Sequence, residues 1–207
     1  MNFDFDTWPR REIYEFFSRV SQPFYSVTFR VDVTRVYEYV KPRGLSFYYA
    51  LTWLVTRAMN RVPEFLLTIR GGQVRALSRR EPSFTDLRPG SDCFYMVTMT
   101  AGDDLDEFCR EAKRRSAAQD YFMNPDDESD NLIYISCAPW LDITGLTNER
   151  DFDADDAVPR IAWGKYTEEN GRLKLGMSIE INHRLIDGIH IGQFAAALDD
   201  EISKLAP

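Results

Sequence analysis

Apolar and polar residues alternate most cleanly between Arg172 and Asn182, RLKLGMSIEIN. Leu173, Leu175, Met177, Ile179 and Ile181 fall on one side, with Arg172, Lys174, Ser178, Glu180 and Asn182 on the other. A period of two predicts a strand with one buried face. Residues 183–188 then form a turn, and Ile191, Phe194, Ala195, Leu198 and Ile202 recur at helical spacing into the C-terminus. His183 stands where the strand gives way to the turn, at a parity that points it inward.

Upstream, Ile13, Phe16, Phe17 and Val20 predict an apolar helical stripe, capped by Thr7 or Asp6 and with Pro9 in its first turn. Residues 24–33 alternate as a strand. Lys41-Pro42-Arg43-Gly44 reads as punctuation before a largely buried helix over 45–60, with Phe47, Leu51, Leu54 and Ala58 on one face. Residues 65–70 and 73–77 predict a hairpin around Gly71-Gly72. Two strands follow over 83–88 and 93–100, separated by Pro89-Gly90. Asp103-Asp104 should cap a helix carrying Leu105, Phe108, Ala112 and Ser116, and Lys113, Arg114 and Arg115 suit its solvated C-terminal end. A buried strand begins at Asn131 and is ended by Pro139. It lies between acidic loops over 124–130 and 148–156. Glu168-Glu169-Asn170-Gly171 turns the chain back into the last strand. With no repeat and no linker, 1–207 reads as a single domain.

Apolar residues make up 44% of the 207 and aromatics 14%, which suits a packed core. The net charge of −8 argues against a nucleic-acid partner, which needs a basic surface. A phosphate-bearing cosubstrate needs only a few local cations and backbone donors. Cys93, Cys109 and Cys137 have no paired spacing, and no apolar signal segment follows Met1. Reduced thiols and a cytoplasmic location are therefore expected. The longest apolar stretch, near 47–55, is too short to span a membrane.

The chain has two histidines, His183 and His190. A neutral imidazole at position 183 could take a proton from a hydroxyl or thiol near pH 7, given shelter and a partner that fixes its tautomer. Asp187 is the nearest acid. The same residues admit a histidine held by backbone carbonyls beside a turn-forming Asp-Gly. They also admit a metal site through His183, Asp187 and His190 at i, i+4 and i+7. Gly188 and the preceding strand argue against one helix carrying all three, and no metal is expected.

NHRLIDGIHIGQF resembles the terminal His-x-x-x-Asp-Gly motif of the chloramphenicol acetyltransferase family. Dihydrolipoamide acyltransferases and peptide-synthetase condensation domains have a similar motif. Three further segments keep the narrower family's order. Trp8-Pro9-Arg10-Arg11-Glu12 resembles its opening, Asn131 to Trp140 its Asn-x-x-x-Ile-Ser-x-x-Pro-Trp signature, and PRIAWGKY its Lys-Tyr strand. The resemblance implies an α/β fold, a two-layer sandwich with a mixed β-sheet flanked by helices. It also implies a homotrimer whose active sites lie at subunit interfaces, the histidine of one subunit meeting acceptor held by its neighbour.

On this resemblance acetyl-CoA is the acyl donor and a small-molecule hydroxyl the acceptor, chloramphenicol first among them, with antibiotic resistance as the associated role. His183 is then the general base, Ser136 the oxyanion stabiliser, and Arg10 the partner that holds Asp187 ionised and oriented. Trp140, Lys165, Tyr166 and Tyr48 become candidates for the CoA channel. On the acceptor side the chain departs from its relatives, with Pro23 for a cysteine, Tyr25 for a phenylalanine, and Leu146 and Asn148 where an aromatic and an aliphatic residue are common. Ala162 replaces a threonine, and Ser46 a lysine. An O-acetyltransferase for another small alcohol, or a non-catalytic homologue that binds CoA or another ligand, are the alternatives these departures raise.

Overall fold

A computed structural model describes residues 3–88, 90–150 and 155–206. The chain opens with helix α1 (Arg11–Phe17), strand β1 (Phe24–Asp32) and helices α2 (Thr34–Arg43) and α3 (Phe47–Met59). Strands β2 (Leu67–Arg70), β3 (Gln73–Ala76), β4 (Glu81–Leu87) and β5 (Phe94–Thr98) precede helix α4 (Leu105–Ala118). Strands β6 (Leu132–Ala138), β7 (Arg160–Gly164), β8 (Thr167–Glu169) and β9 (Arg172–Asn182) lead into helix α5 (Gly188–Ser203).

The main sheet is ordered β1-β9-β7-β6-β4-β5, with β8 paired to β9. It is mixed, since β6 runs parallel to β4 and β7 while the other pairs are antiparallel. β2 and β3 form the separate hairpin expected around Gly71-Gly72. Helix α3 packs against α2, α4 and α5, and this helical layer covers the face of β9 carrying Leu175, Met177, Ile179 and Ile181. Among the described residues, no helix is long and apolar enough to cross a membrane.

β9 departs from the half-buried strand that its alternation predicts. Ser178, Glu180 and Asn182 on the polar side are 0%, 5% and 2% exposed. The segment after β6 folds back over them. Ser178 donates to the Leu146 carbonyl at 2.7 Å, and Glu180 accepts from the Asn148 backbone N–H and from Arg150. Asn182 donates to the Asp156 carbonyl. The polar side thus satisfies an irregular segment that has no ladder of its own.

That segment also explains Gly176. A Cβ there would lie 2.1 Å from the Ile143 carbonyl oxygen, a backbone atom that cannot swing aside. Gly176→Ala is expected to lower stability by about 1–3 kcal/mol through overpacking, read as a fall in the urea midpoint. An unchanged midpoint would show that the segment does not lie on β9.

Two helix predictions need correction. α1 starts at Arg11 with no side-chain cap from Thr7 or Asp6. Its anchor is Tyr14, buried against Phe5 and Trp8 with its hydroxyl on the Gly72 carbonyl. Ile13, Phe16 and Val20 consequently face outward, 36%, 64% and 40% exposed. α2 lies where the Lys-Pro-Arg-Gly run suggested only a break. Pro42 sits in its last turn, and Gly44 at φ +63° lets the chain close the helix through bonds to the Lys41 and Val40 carbonyls. α3, α4 and α5 form as expected, with Ser46 and Asp104 capping α3 and α4. Pro89, expected between β4 and β5, and 151–154 of the acidic loop lie outside the described residues.

Candidate active site

His183 follows β9 directly, and its backbone N–H donates to the Pro23 carbonyl at 2.7 Å. Its ring stacks on Phe17 at 4.0 Å between centroids and meets Tyr25 at 4.4 Å. Nε2 lies 2.8 Å from an Asp187 carboxylate oxygen, and the other oxygen of that carboxylate accepts from Arg10. Burial alone would raise the Asp187 pKa, but the Arg10 and His183 hydrogen bonds outweigh it and hold the carboxyl below its ordinary 3.8. An ionised Asp187 accepts the Nε2 proton, which leaves Nδ1 with the free lone pair. No described residue takes up that lone pair, and the His183 side chain is 30% exposed.

The other histidine has a different task. His190 Nδ1 accepts the Asp187 backbone N–H at 2.9 Å, so it fixes the turn from which α5 starts. This engages the i, i+4 and i+7 residues with one another. Among the described residues no group of three or more His, Cys, Asp and Glu side chains is placed to hold a metal. Burial lowers the His190 pKa below 6.5, although Glu64 opposes it. As pH falls through 6.5 the unfolded chain binds this proton first, so stability declines from there down to the lower folded-state value. Melting temperatures should therefore fall between pH 7.5 and 5, and His190→Gln should flatten the fall. An equal slope in the variant would assign the decline to other groups.

Ser136 lies on β6 in the wall of a cavity of about 980 Å³ that also meets Thr85, Tyr48, Ala162, Leu146 and Asn148. Its Oγ accepts from the Thr85 hydroxyl at 3.1 Å and donates to no described residue. The Tyr48 hydroxyl donates to the Thr85 carbonyl at 2.8 Å. Cys137 also lines this wall, but burial, with Asp86 nearby, pushes its thiol up to about 12. It is therefore a protonated, poorly nucleophilic group at neutral pH. Asp86, Asp92, Glu128 and Glu149 border the cavity, with Arg160 as its one cationic lining residue among those described.

The structure divides the candidate residues into two groups. Arg10, Pro23, Tyr25, His183 and Asp187 gather at the β1–β9 edge, joined by Phe17, whose role the apolar pattern of α1 did not reveal. Ser136, Tyr48, Trp140, Leu146 and Asn148 line the cavity. Lys165 and Tyr166 lie outside its lining, just beyond β7, where the Lys165 N–H meets the Leu141 carbonyl and Tyr166 meets Phe47. They share that end of the sheet with Trp140, which is 67% exposed.

Sheet register measures the gap between the groups. Ser136 is level with Ala162, and Ala162 with Ser178, which precedes His183 by five residues. Strand rise and spacing place the Cα atoms of Ser136 and His183 about 19 Å apart in one chain. No single reacting carbon could touch both.

The whole chain has clear relatives. The profile of the family described as chloramphenicol acetyltransferase matches residues 1–199. Chloramphenicol acetyltransferase 2 of Escherichia coli is 26% identical over 204 residues, 96% of either chain. The chloramphenicol acetyltransferase of Streptomyces acrimycini is 29% identical over 207 residues, covering 98% of this chain and 92% of its own. A solved chloramphenicol acetyltransferase superposes with a TM-score of 0.86 at 25% identity, over 98% of this chain and 99% of its own. A probable dihydrolipoamide acetyltransferase of Listeria monocytogenes shares the fold at a TM-score of 0.68 and 15% identity, over 100% of this chain and 94% of its own. Matched in sequence and in fold over nearly its whole length, the chain belongs to the chloramphenicol acetyltransferase family of acyltransferases.

Proposed function

We propose that residues 1–207 act as one acetyltransferase domain that moves the acetyl group of acetyl-CoA onto the hydroxyl of a small acceptor, chloramphenicol first. The observation that carries this reading is the hydrogen-bonded set Arg10–Asp187–His183, which leaves one nitrogen of a partly exposed imidazole without a partner among the described residues, within a family of acyltransferases. Acetyl-CoA supplies the activated acyl group, and this chain's residues supply the rest. His183 Nδ1 takes the acceptor O–H proton as the acceptor oxygen bonds to the thioester carbonyl carbon. Negative charge gathers on the carbonyl oxygen, and the Ser136 hydroxyl donates to it. The C–S bond then breaks, and His183 returns the proton to the departing thiolate. The proton account closes with no acyl group on the protein, in keeping with the protonated Cys137.

The separation of about 19 Å supports a site shared between chains, and we assign a homotrimer on the family's pattern. His183 of one protomer would face the Ser136 cavity of its neighbour, and exposed Ile13 and Phe16 beside the His183 group would be covered there. Trp140, Tyr48, Tyr166 and Lys165 would receive the CoA portion. Lys165 suits its phosphates, being an exposed cation.

The test is CoA thiol release from acetyl-CoA with chloramphenicol, using His183→Ala and Ser136→Ala chains singly and co-refolded. Each alone is expected to be inactive or nearly so, and the mixture to regain activity wherever an intact histidine faces an intact serine. A mixture no better than its parts would place both residues in one chain's site. The charged border of the cavity favours a second acceptor class, a more polar alcohol, and a panel of such alcohols turned over faster than chloramphenicol would establish it.

A further inference from the structure

Ser136 has two lateral neighbours on its own face of the sheet. On the β7 side its register partner is Ala162, whose methyl group can neither donate nor accept. On the β4 side is Thr85, one position beyond the Phe84–Ile135 pair. Its Oγ1 donates to Ser136 Oγ at 3.1 Å. No other side chain among the described residues bonds this hydroxyl, so Thr85 alone among them orients it.

A hydroxyl has one proton and two lone pairs. With one lone pair taken by Thr85, the Ser136 proton must leave along another direction, and no described group accepts it. Both residues line the same cavity, so that proton is available to an acceptor within it. Donation into a hydroxyl also polarises it and strengthens the bond that it donates onward. The Thr85 backbone is fixed separately, because its carbonyl accepts from Tyr48.

We propose that Thr85 is a positioning residue for acetyl transfer, aiming and polarising the Ser136 hydroxyl toward the carbonyl oxygen that becomes negative. Thr85 acts through Ser136 and needs no contact with substrate. The inference rests on the proposed oxyanion role of Ser136.

The experiment is a double-mutant cycle on the full chain, read as CoA thiol release with chloramphenicol and, without acceptor, as hydrolysis of acetyl-CoA by water. Both reactions develop the same oxyanion. Thr85→Val keeps the side-chain shape, and it should lower kcat by about ten-fold with little change in the KM for acetyl-CoA, as expected for one neutral hydrogen bond. Thr85→Ser should restore most of the loss. Ser136→Ala should cost roughly 10²–10³-fold, and adding Thr85→Val to it should cost nothing further. A structural role would instead lower kcat by the same factor in both backgrounds. That additivity, or a Thr85→Val kcat equal to wild type while Ser136→Ala is impaired, overturns the proposal for Thr85 alone. An unimpaired Ser136→Ala, or no thiol release in either assay, overturns the reading beneath it and Thr85 with it.

Discussion

His183→Ala is expected to reduce acetyl-CoA-dependent thiol release by roughly 10²–10⁴-fold, the span over which a positioned general base accelerates a reaction. The fold should survive, because the ring is 30% exposed and its loss leaves the Pro23–His183 backbone bond and the α5 start in place. A normal melting curve with lost turnover would mark a chemical role. Retained turnover would remove the base. Arg10→Ala tests the same assembly one step away. Asp187 loses the cation that holds its carboxyl low, and His183 loses a firmly placed partner. Activity should fall by less than in His183→Ala, and the acid limb of the kcat profile should move. An unchanged rate and profile would reject the Arg10–Asp187 pairing as functional.

Arg80→Met is expected to be the most damaging single change to stability, by about 3–5 kcal/mol or more, a large share of the 5–15 kcal/mol that holds a typical domain. Arg80 is fully buried, and its guanidinium makes five bonds to backbone carbonyls, those of Phe65, Leu67, Asp130, Leu132 and Ala157. Asn60 bonds both its N–H and its carbonyl. One residue, through its side chain and its backbone, therefore joins the end of α3, the β2–β3 hairpin, the start of β6 and the segment before β7. Burial pulls its pKa down to about 9, which leaves it charged at neutral pH. Methionine would fill much of the volume but leave five buried carbonyls without donors, each costing on the order of 1–3 kcal/mol before relaxation. Urea unfolding would measure the loss, and a change below about 1 kcal/mol would show that water replaces the guanidinium without difficulty.

Nothing local in Ser78-Arg79-Arg80 distinguishes these neighbours, two like cations just ahead of a strand. Arg79 is half exposed and pairs with Glu81, whereas Arg80 is the centre of a buried network. The difference comes from carbonyls 13 to 77 residues away, which no local pattern can report. Thr85 was equally silent, a polar residue in a strand whose value depends on the strand placed beside it. Phe17 was legible only as an apolar position. Its companions Ile13 and Phe16 are exposed, so the stripe that predicted helix α1 misjudged which side faces the core.

The local signals were sound where local physics decides. Alternation defined the apolar face of β9, helical spacing defined α5, and the order of four motifs identified the family and, through it, the mixed two-layer fold. Tertiary structure alone decided that the polar face of β9 is also buried, that Arg80 rather than Arg79 goes inside, and that Thr85 reaches Ser136. It also decided that Ser136 and His183 stand apart within one chain. Periodicity is a property of neighbouring residues and survives in the sequence. Burial of a charge, or the distance between two sheet rows, depends on partners that folding brings from elsewhere in the chain.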